Sequence, residues 1–225
     1  MTRAALIGAV EFNAQHFAAQ DFDFVVAVDR GFATCQQHGI EPDIVVGDFD
    51  SLGYVPSGID VQAHSSVKDE SDMELALRLA RERGCAEVLV YGALSDRLDH
   101  TLANLQLMAG CAREGGRIFG IGSDFAIAAL AGGEGCANQL HFAAFDPAAL
   151  DAGAYGRYVS VFAFGGDAQG VTESGLKYVL RDATLPGTAT LGLSNEFSGE
   201  ASCISVEQGV LLISFSLGAW EHLEQ

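Results

Sequence analysis

In the first half of the chain, short apolar runs end again and again at a glycine or an aspartate and give way to a helical stretch. Ala4 to Val10, Phe24 to Val28, Ile44 to Val46 and Glu87 to Tyr91 read as buried strands. Asn13 to Gln20 and Phe32 to His38 read as helices, the second closed by Gly39. Strands alternating with helices imply a parallel, doubly wound sheet with helices on both faces, an α/β architecture. Sheets of this kind bind ligands beyond the carboxyl ends of their strands. Asp29, Asp48 and Asp50 are therefore expected on one edge.

The densest signal on that edge is Ile44-Val45-Val46-Gly47-Asp48-Phe49-Asp50-Ser51. If extended backbone persists past Gly47, Asp48 and Asp50 point to the same side. Two carboxylates so close repel unless a cation lies between them, and oxygen-only ligands suit Mg²⁺. An Asp-x-Asp-Ser turn is also ordinary loop chemistry, so this stretch alone leaves both readings open. A second acidic cluster, Lys68-Asp69-Glu70-Ser71-Asp72-Met73-Glu74, opens a helix. Ser71 and Glu74 form a capping box there, and acidic groups favour a helix start in any case. Lys68, Asp69 and Asp72 are not explained by capping. The loop after Tyr91 carries Arg97, Asp99 and His100 into a further helix; Asp99 reads as its N-cap or as a ligand contact. A guanidinium fork in a strand-to-helix loop matches phosphate oxygens.

Composition narrows the partners. Lys and Arg number 12 against 30 Asp and Glu in 225 residues, a formal charge of −18. That balance argues against nucleic acid and anionic membranes as partners. It tolerates an anionic substrate only where metal or local basic groups offset the field. The five cysteines are dispersed without CxxC or zinc spacing, as expected of reduced thiols in a cytoplasmic protein. The apolar run near the N-terminus is too short for a membrane span.

After residue 123 the helical period fades. Ser160 to Phe164, Leu176 to Leu180, Thr188 to Leu193, Ala201 to Val206 and Val210 to Phe215 read as short strands separated by Gly- and Pro-containing turns. Their spacing implies a C-terminal antiparallel β-sandwich. The expected division is 1–123 for an α/β nucleotide- and metal-binding domain and 124–225 for the sandwich.

Several strings occur together in one order: Ala27-Val28-Asp29-Arg30-Gly31, the stretch from Pro42 to Ser51, Lys68 to Asp72, Arg97-Leu98-Asp99-His100-Thr101-Leu102-Ala103-Asn104, Gly175-Leu176-Lys177-Tyr178, and Ser194-Asn195. In this the chain resembles the thiamin pyrophosphokinase (thiamin diphosphokinase) family. The resemblance implies an ATP- and metal-binding α/β domain followed by a thiamin-binding β-sandwich. It implies a homodimer with sites between subunits, and pyrophosphoryl transfer from ATP to the hydroxyl of thiamin. By similarity, Asp48, Asp50 and Asp72 hold Mg²⁺. A primary alcohol nucleophile is helped by a base, a role open to Asp29, Asp50 or Asp72. Lys68, Asp69, Ser71, Ser51, Arg97, Asp99 and His100 face the nucleotide. Ser194 and Asn195 face thiamin.

The chain departs from the family pattern at Arg30, at Ser71 and at Ser95-Asp96, where glycine, threonine and a glycine pair are usual. Phosphate must be held by metal and side chains, because no Walker-type glycine loop is present. Two other readings use the same residues: a pyrophosphokinase acting on another alcohol, such as a pterin, and a non-catalytic nucleotide or thiamin binder.

Overall fold

A computed structural model describes residues 2–49, 53–63, 70–94, 97–150 and 155–224. The chain divides into two compact units. The first comprises Met1–Leu107 with Gly120–Ser123, and the second Met108–Phe119 with Asp124–Gln225.

The first unit runs β1 (Arg3–Ile7), α1 (Ala14–Ala18), β2 (Phe24–Val28), α2 (Gly31–His38), β3 (Ile44–Gly47), β4 (Asp60–Ala63), α3 (Asp72–Glu82) and β5 (Glu87–Tyr91). It then enters α4 (Leu98–Arg113), which continues into the second unit, and β6 (Arg117–Ile121) is likewise divided between them. The five strands β1 to β5 lie in the order β5-β1-β2-β3-β4 and all pair in parallel. The first three connections step one way across the sheet, and the fourth returns past β1. Right-handed crossovers then place α3 on the face opposite α1 and α2. Branched apolar side chains make the middle strands fully buried: Leu6, Val26, Val45, Val46 and Leu89 have no exposed surface. On one face Ile7, Ala27, Val45 and Phe49 pack with Cys35 of α2.

Gly39 closes α2 with φ 66°, as its position in the sequence implies. Ser71 caps α3, its Oγ accepting from the Glu74 N–H at 3.1 Å. Asn13 caps α1 in the same way, accepting from His16 N at 2.9 Å.

The second unit adds β7 (Phe125–Gly132), β8 (Gln139–Phe142), β9 (Tyr158–Ala163), β10 (Ala168–Ser174), β11 (Leu180–Leu185), β12 (Gly192–Glu196), β13 (Ser202–Ser205) and β14 (Gly209–Ser216). One antiparallel run is β12-β9-β14-β7, and the other is β11-β10-β13-β8. The two close on each other through Phe142, whose ring lies 5.1 Å from that of Phe215. This is the expected sandwich. Several elements differ from the sequence reading. Strands β7, β8 and β10 were not expected, and β12 lies C-terminal to the expected 188–193. The expected strand at 176–180 is displaced: Gly175 takes φ 68°, residues 176–179 connect β10 to β11, and β11 starts only at Leu180.

Candidate functional site

The carboxyl edge of the first unit is built by close backbone approaches. Beyond β2, the Asp29 N–H donates to Val46 O at 2.7 Å, tying the end of β2 to β3. Asp29 takes φ 49°, a left-handed conformation that aspartate tolerates better than most residues. Gly47 lies against it: a Cβ at Gly47 would sit 3.1 Å from Asp29 Cα. The adjacent Asp48 is half-buried at the tip of the neighbouring strand. Strand geometry stops at Gly47, because Phe49 turns to φ 60° and buries its ring with Ile7 and Val45. Extended strand backbone therefore does not persist past Gly47. Asp29 and Asp48 each follow the last residue of adjoining, paired strands, β2 and β3.

The crevice where the strand order reverses lies between β1 and β5. Gly8 N donates to Tyr91 O at 2.8 Å and Val10 N to Gly92 O at 3.1 Å, so the two exit loops are zipped together. Gly92, at φ 59°, allows this: a Cβ there would lie 2.7 Å from Gly8 O. The loop after β5 leads to Arg97. Its guanidinium grips Asp99 with both Nε (3.2 Å) and Nη2 (2.6 Å), and Asp99 Oδ1 also accepts from His100 N at 3.0 Å. Asp99 lies inside the first turn of α4, which starts at Leu98. The Arg97 fork holds the Asp99 carboxyl below the usual carboxylate range. Both side chains are about two-thirds exposed, at 67% and 66%. Such a pair is weak in water and yields readily to phosphate. Asp72 is the first residue of α3, which packs on β1, β2 and β3, and Ser71 keeps its hydroxyl proton for donation while its oxygen caps the helix.

Ser194 and Asn195 lie in the second unit, on β12. The pairing of β12 with β9 shifts register between Gly192 and Asn195. Ser194, inside that bulge, takes φ 59°, is exposed, and donates its N–H to Ser160 Oγ at 3.0 Å. Asn195 is buried, and its amide is fully engaged. Nδ2 donates to Glu173 Oε2 and to Tyr178 O, both at 2.7 Å. Oδ1 accepts from the N–H groups of Tyr178 and Glu196, both at 2.9 Å. Glu196 in turn pairs with Lys177 at 2.5 Å and Arg157 at 2.7 Å, and these contacts hold its carboxyl below the usual range, Lys177 contributing most.

Asp50, Ser51, Lys68 and Asp69 lie outside the described residues, as do Ser95 and Asp96. Among the described residues no three His, Cys, Asp or Glu side chains gather closely enough to hold a metal ion. The sequence reading did not single out Glu173, Ser160, Arg157 or Glu196. One signal was available for Glu173: it lies in phase with the buried Val171 on a strand, an acidic residue in an inward-facing position.

Two family models match the chain: thiamin pyrophosphokinase, catalytic domain, over residues 16–119, and thiamin pyrophosphokinase, vitamin B1 binding domain, over residues 148–211. A curated relative, thiamine pyrophosphokinase of Bacillus subtilis (strain 168), is 27% identical over 196 residues, 84% of this chain and 85% of that one. Among solved structures, thiamine pyrophosphokinase from Bacillus subtilis aligns with a TM-score of 0.80 at 23% identity, covering 96% of this chain and 99% of that one. Thiamin pyrophosphokinase from Geobacillus thermodenitrificans gives 0.75 at 24%, covering 96% and 97%. Thiamin pyrophosphokinase from Candida albicans gives 0.74 at 14%, covering 96% and 88%. At these identities the solved structures speak for the fold.

Proposed function

The chain belongs to the thiamin pyrophosphokinase family, and from that premise we propose that it transfers the pyrophosphoryl group of ATP to the hydroxyl of thiamin, giving thiamin diphosphate and AMP. The observation that supports this reading is the placement of Asp29 and Asp48 just beyond the carboxyl ends of the adjoining strands β2 and β3, on the same edge as the β1–β5 crevice. Phosphoryl-type transfer needs in-line positioning and neutralised charge rather than elaborate covalent chemistry.

The donor set is oxygen-only, which fits Mg²⁺. Asp48, Asp50 and Asp72 would hold it, and when bound it offsets the charge of the transferring phosphates. Arg97, released from Asp99, supplies a planar fork to phosphate oxygens. Lys68, Asp69, Ser71, Ser51, Asp99 and His100 complete the nucleotide side. The base for the thiamin hydroxyl is one of Asp29, Asp50 and Asp72. Ser194 offers its exposed hydroxyl to thiamin, and Asn195 belongs to the same subsite. Thiamin is cationic, and a chain of charge −18 attracts it.

The working form in this reading is a homodimer with sites between subunits. Tyr158, Tyr178, Val179, Leu191 and Leu193 are exposed in the second unit, and β12 is a sheet edge. Exposed apolar residues on an edge strand are ordinarily covered by a partner. No helix among the described residues is long and apolar enough to cross a membrane; the reading places the enzyme in the cytoplasm. The test is turnover of thiamin and ATP with Mg²⁺, followed by AMP release. AMP release that requires thiamin and stops with EDTA is expected. Binding of either substrate without AMP would leave only a binder, and turnover of a pterin alcohol in preference to thiamin would establish the other pyrophosphokinase reading.

A further inference from the structure

Glu173 lies on β10, only 1% exposed. Its Oε2 accepts from Asn195 Nδ2 at 2.7 Å, while Oε1 has no hydrogen-bond partner among the described residues. A buried carboxylate with one oxygen unmatched is costly, and an apolar side chain would fill the same place without that penalty. What Glu173 adds is orientation. An Asn195 amide turned by 180° would aim its oxygen at Glu173 Oε2 and Tyr178 O, and its NH₂ at the N–H groups of Tyr178 and Glu196. All four contacts would become repulsive. The correct orientation ties β12 to the 175–178 connection, where Lys177 N also donates to Glu196 O at 2.9 Å. Ser194, next in the chain, sits in a left-handed conformation that persists only if its surroundings hold it.

We infer that Glu173 is a positioning residue for thiamin recognition: through Asn195 it fixes the bulge that presents Ser194 and the backbone of the 175–178 connection, without itself reaching the substrate. This rests on the reading of Ser194 as a thiamin contact. A buried hydrogen-bonded network of this kind specifies one arrangement of the groups around it.

The experiment compares Glu173→Leu, which removes the acceptor, with Glu173→Gln, which keeps one. In E173L the KM for thiamin is expected to rise about tenfold, with kcat within about twofold and the KM for ATP unchanged; E173Q stays within about threefold of the parent. Loss of folded protein alone would lower apparent kcat and leave both KM values in place. Amide hydrogen exchange supplies a readout free of turnover: the N–H groups of Tyr178 and Glu196 exchange faster in E173L and not in E173Q. Where E173L does not fold, Glu173→Asp withdraws the acceptor by one methylene and serves in its place. An unchanged KM for thiamin in folded E173L overturns the inference, whatever the exchange shows. If the parent protein releases no AMP, the transferase reading falls. Thiamin affinity by calorimetry in the parent and E173L then still decides the positioning role, and absence of thiamin binding overturns both.

Discussion

Acid should weaken this fold through His16. The ring lies beside the β1–β5 crevice, its Nδ1 2.9 Å from Tyr91 Oη, with Phe12 and Phe17 packed on the same tyrosine. Burial, and secondarily the Arg3 guanidinium, push its pKa down to about 4. Arg3 is itself fixed by Glu87 at 2.7 Å and cannot easily withdraw. The folded value lies below the unfolded value of roughly 6.5, so between the two the unfolded chain binds the proton more readily. The contribution of neutral His16 is thus complete above pH 6.5 and is lost as pH falls to about 4. At pH 5 linkage gives a loss of about 2 kcal/mol, and partial solvent access to the ring reduces that to about 1 kcal/mol. The measurement is urea unfolding of the parent and of His16→Asn at pH 7.5 and pH 5. The parent should lose about 1 kcal/mol more than the variant between the two, the other five histidines cancelling in the comparison. Equal losses, or a His16 ring proton that titrates by NMR at pH 6 or above, would refute the reasoning.

Three further outcomes follow from the edge geometry. Asp48→Asn keeps the shape of the strand end and removes a charge; kcat should fall on the order of 10² by steady-state kinetics, with the melting temperature little changed. Arg97→Ala should raise the KM for ATP about tenfold, and Arg97→Lys should restore little of it, because an ammonium cannot reproduce the fork. Gly31→Ala places a methyl carbon 1.8 Å from Ile7 O at the start of α2; a loss of about 3 kcal/mol or more in denaturant unfolding, or insoluble protein, is expected.

The parallel half of the fold was legible chiefly through β2, β3 and β5, continuous apolar runs closed by Asp29, Gly47 and Gly92, all at positive φ or extended glycine geometry. Phe24–Val28 and Glu87–Tyr91 are strands at the expected bounds, and Gly39 closes its helix where expected. Strand β7 was hidden by composition: Phe-Ala-Ile-Ala-Ala-Leu-Ala-Gly is rich in alanine, which carries no strand signal of its own and is placed by its pairing with β14. The segment from Leu176 to Leu180 reads as a strand locally, yet Gly175 turns the chain and the Asn195 side chain takes the Tyr178 hydrogen bonds that a ladder would use. At the site, strand-end positions for Asp29 and Asp48 could be read from the pattern. Their adjacency could not, because it depends on the register of β2 against β3 and on Gly47 packing against Asp29. The left-handed turn at Phe49 was equally hidden, since a non-glycine residue gives no local sign of it.

Transfer of an intact pyrophosphoryl group is tested most directly by the fate of labelled ATP. Incubation with thiamin, Mg²⁺ and ATP labelled at the β-phosphate should place the label in thiamin diphosphate, with one AMP formed per thiamin diphosphate and no ADP. Release of ADP with thiamin monophosphate, or AMP formed at the same rate without thiamin, would contradict it.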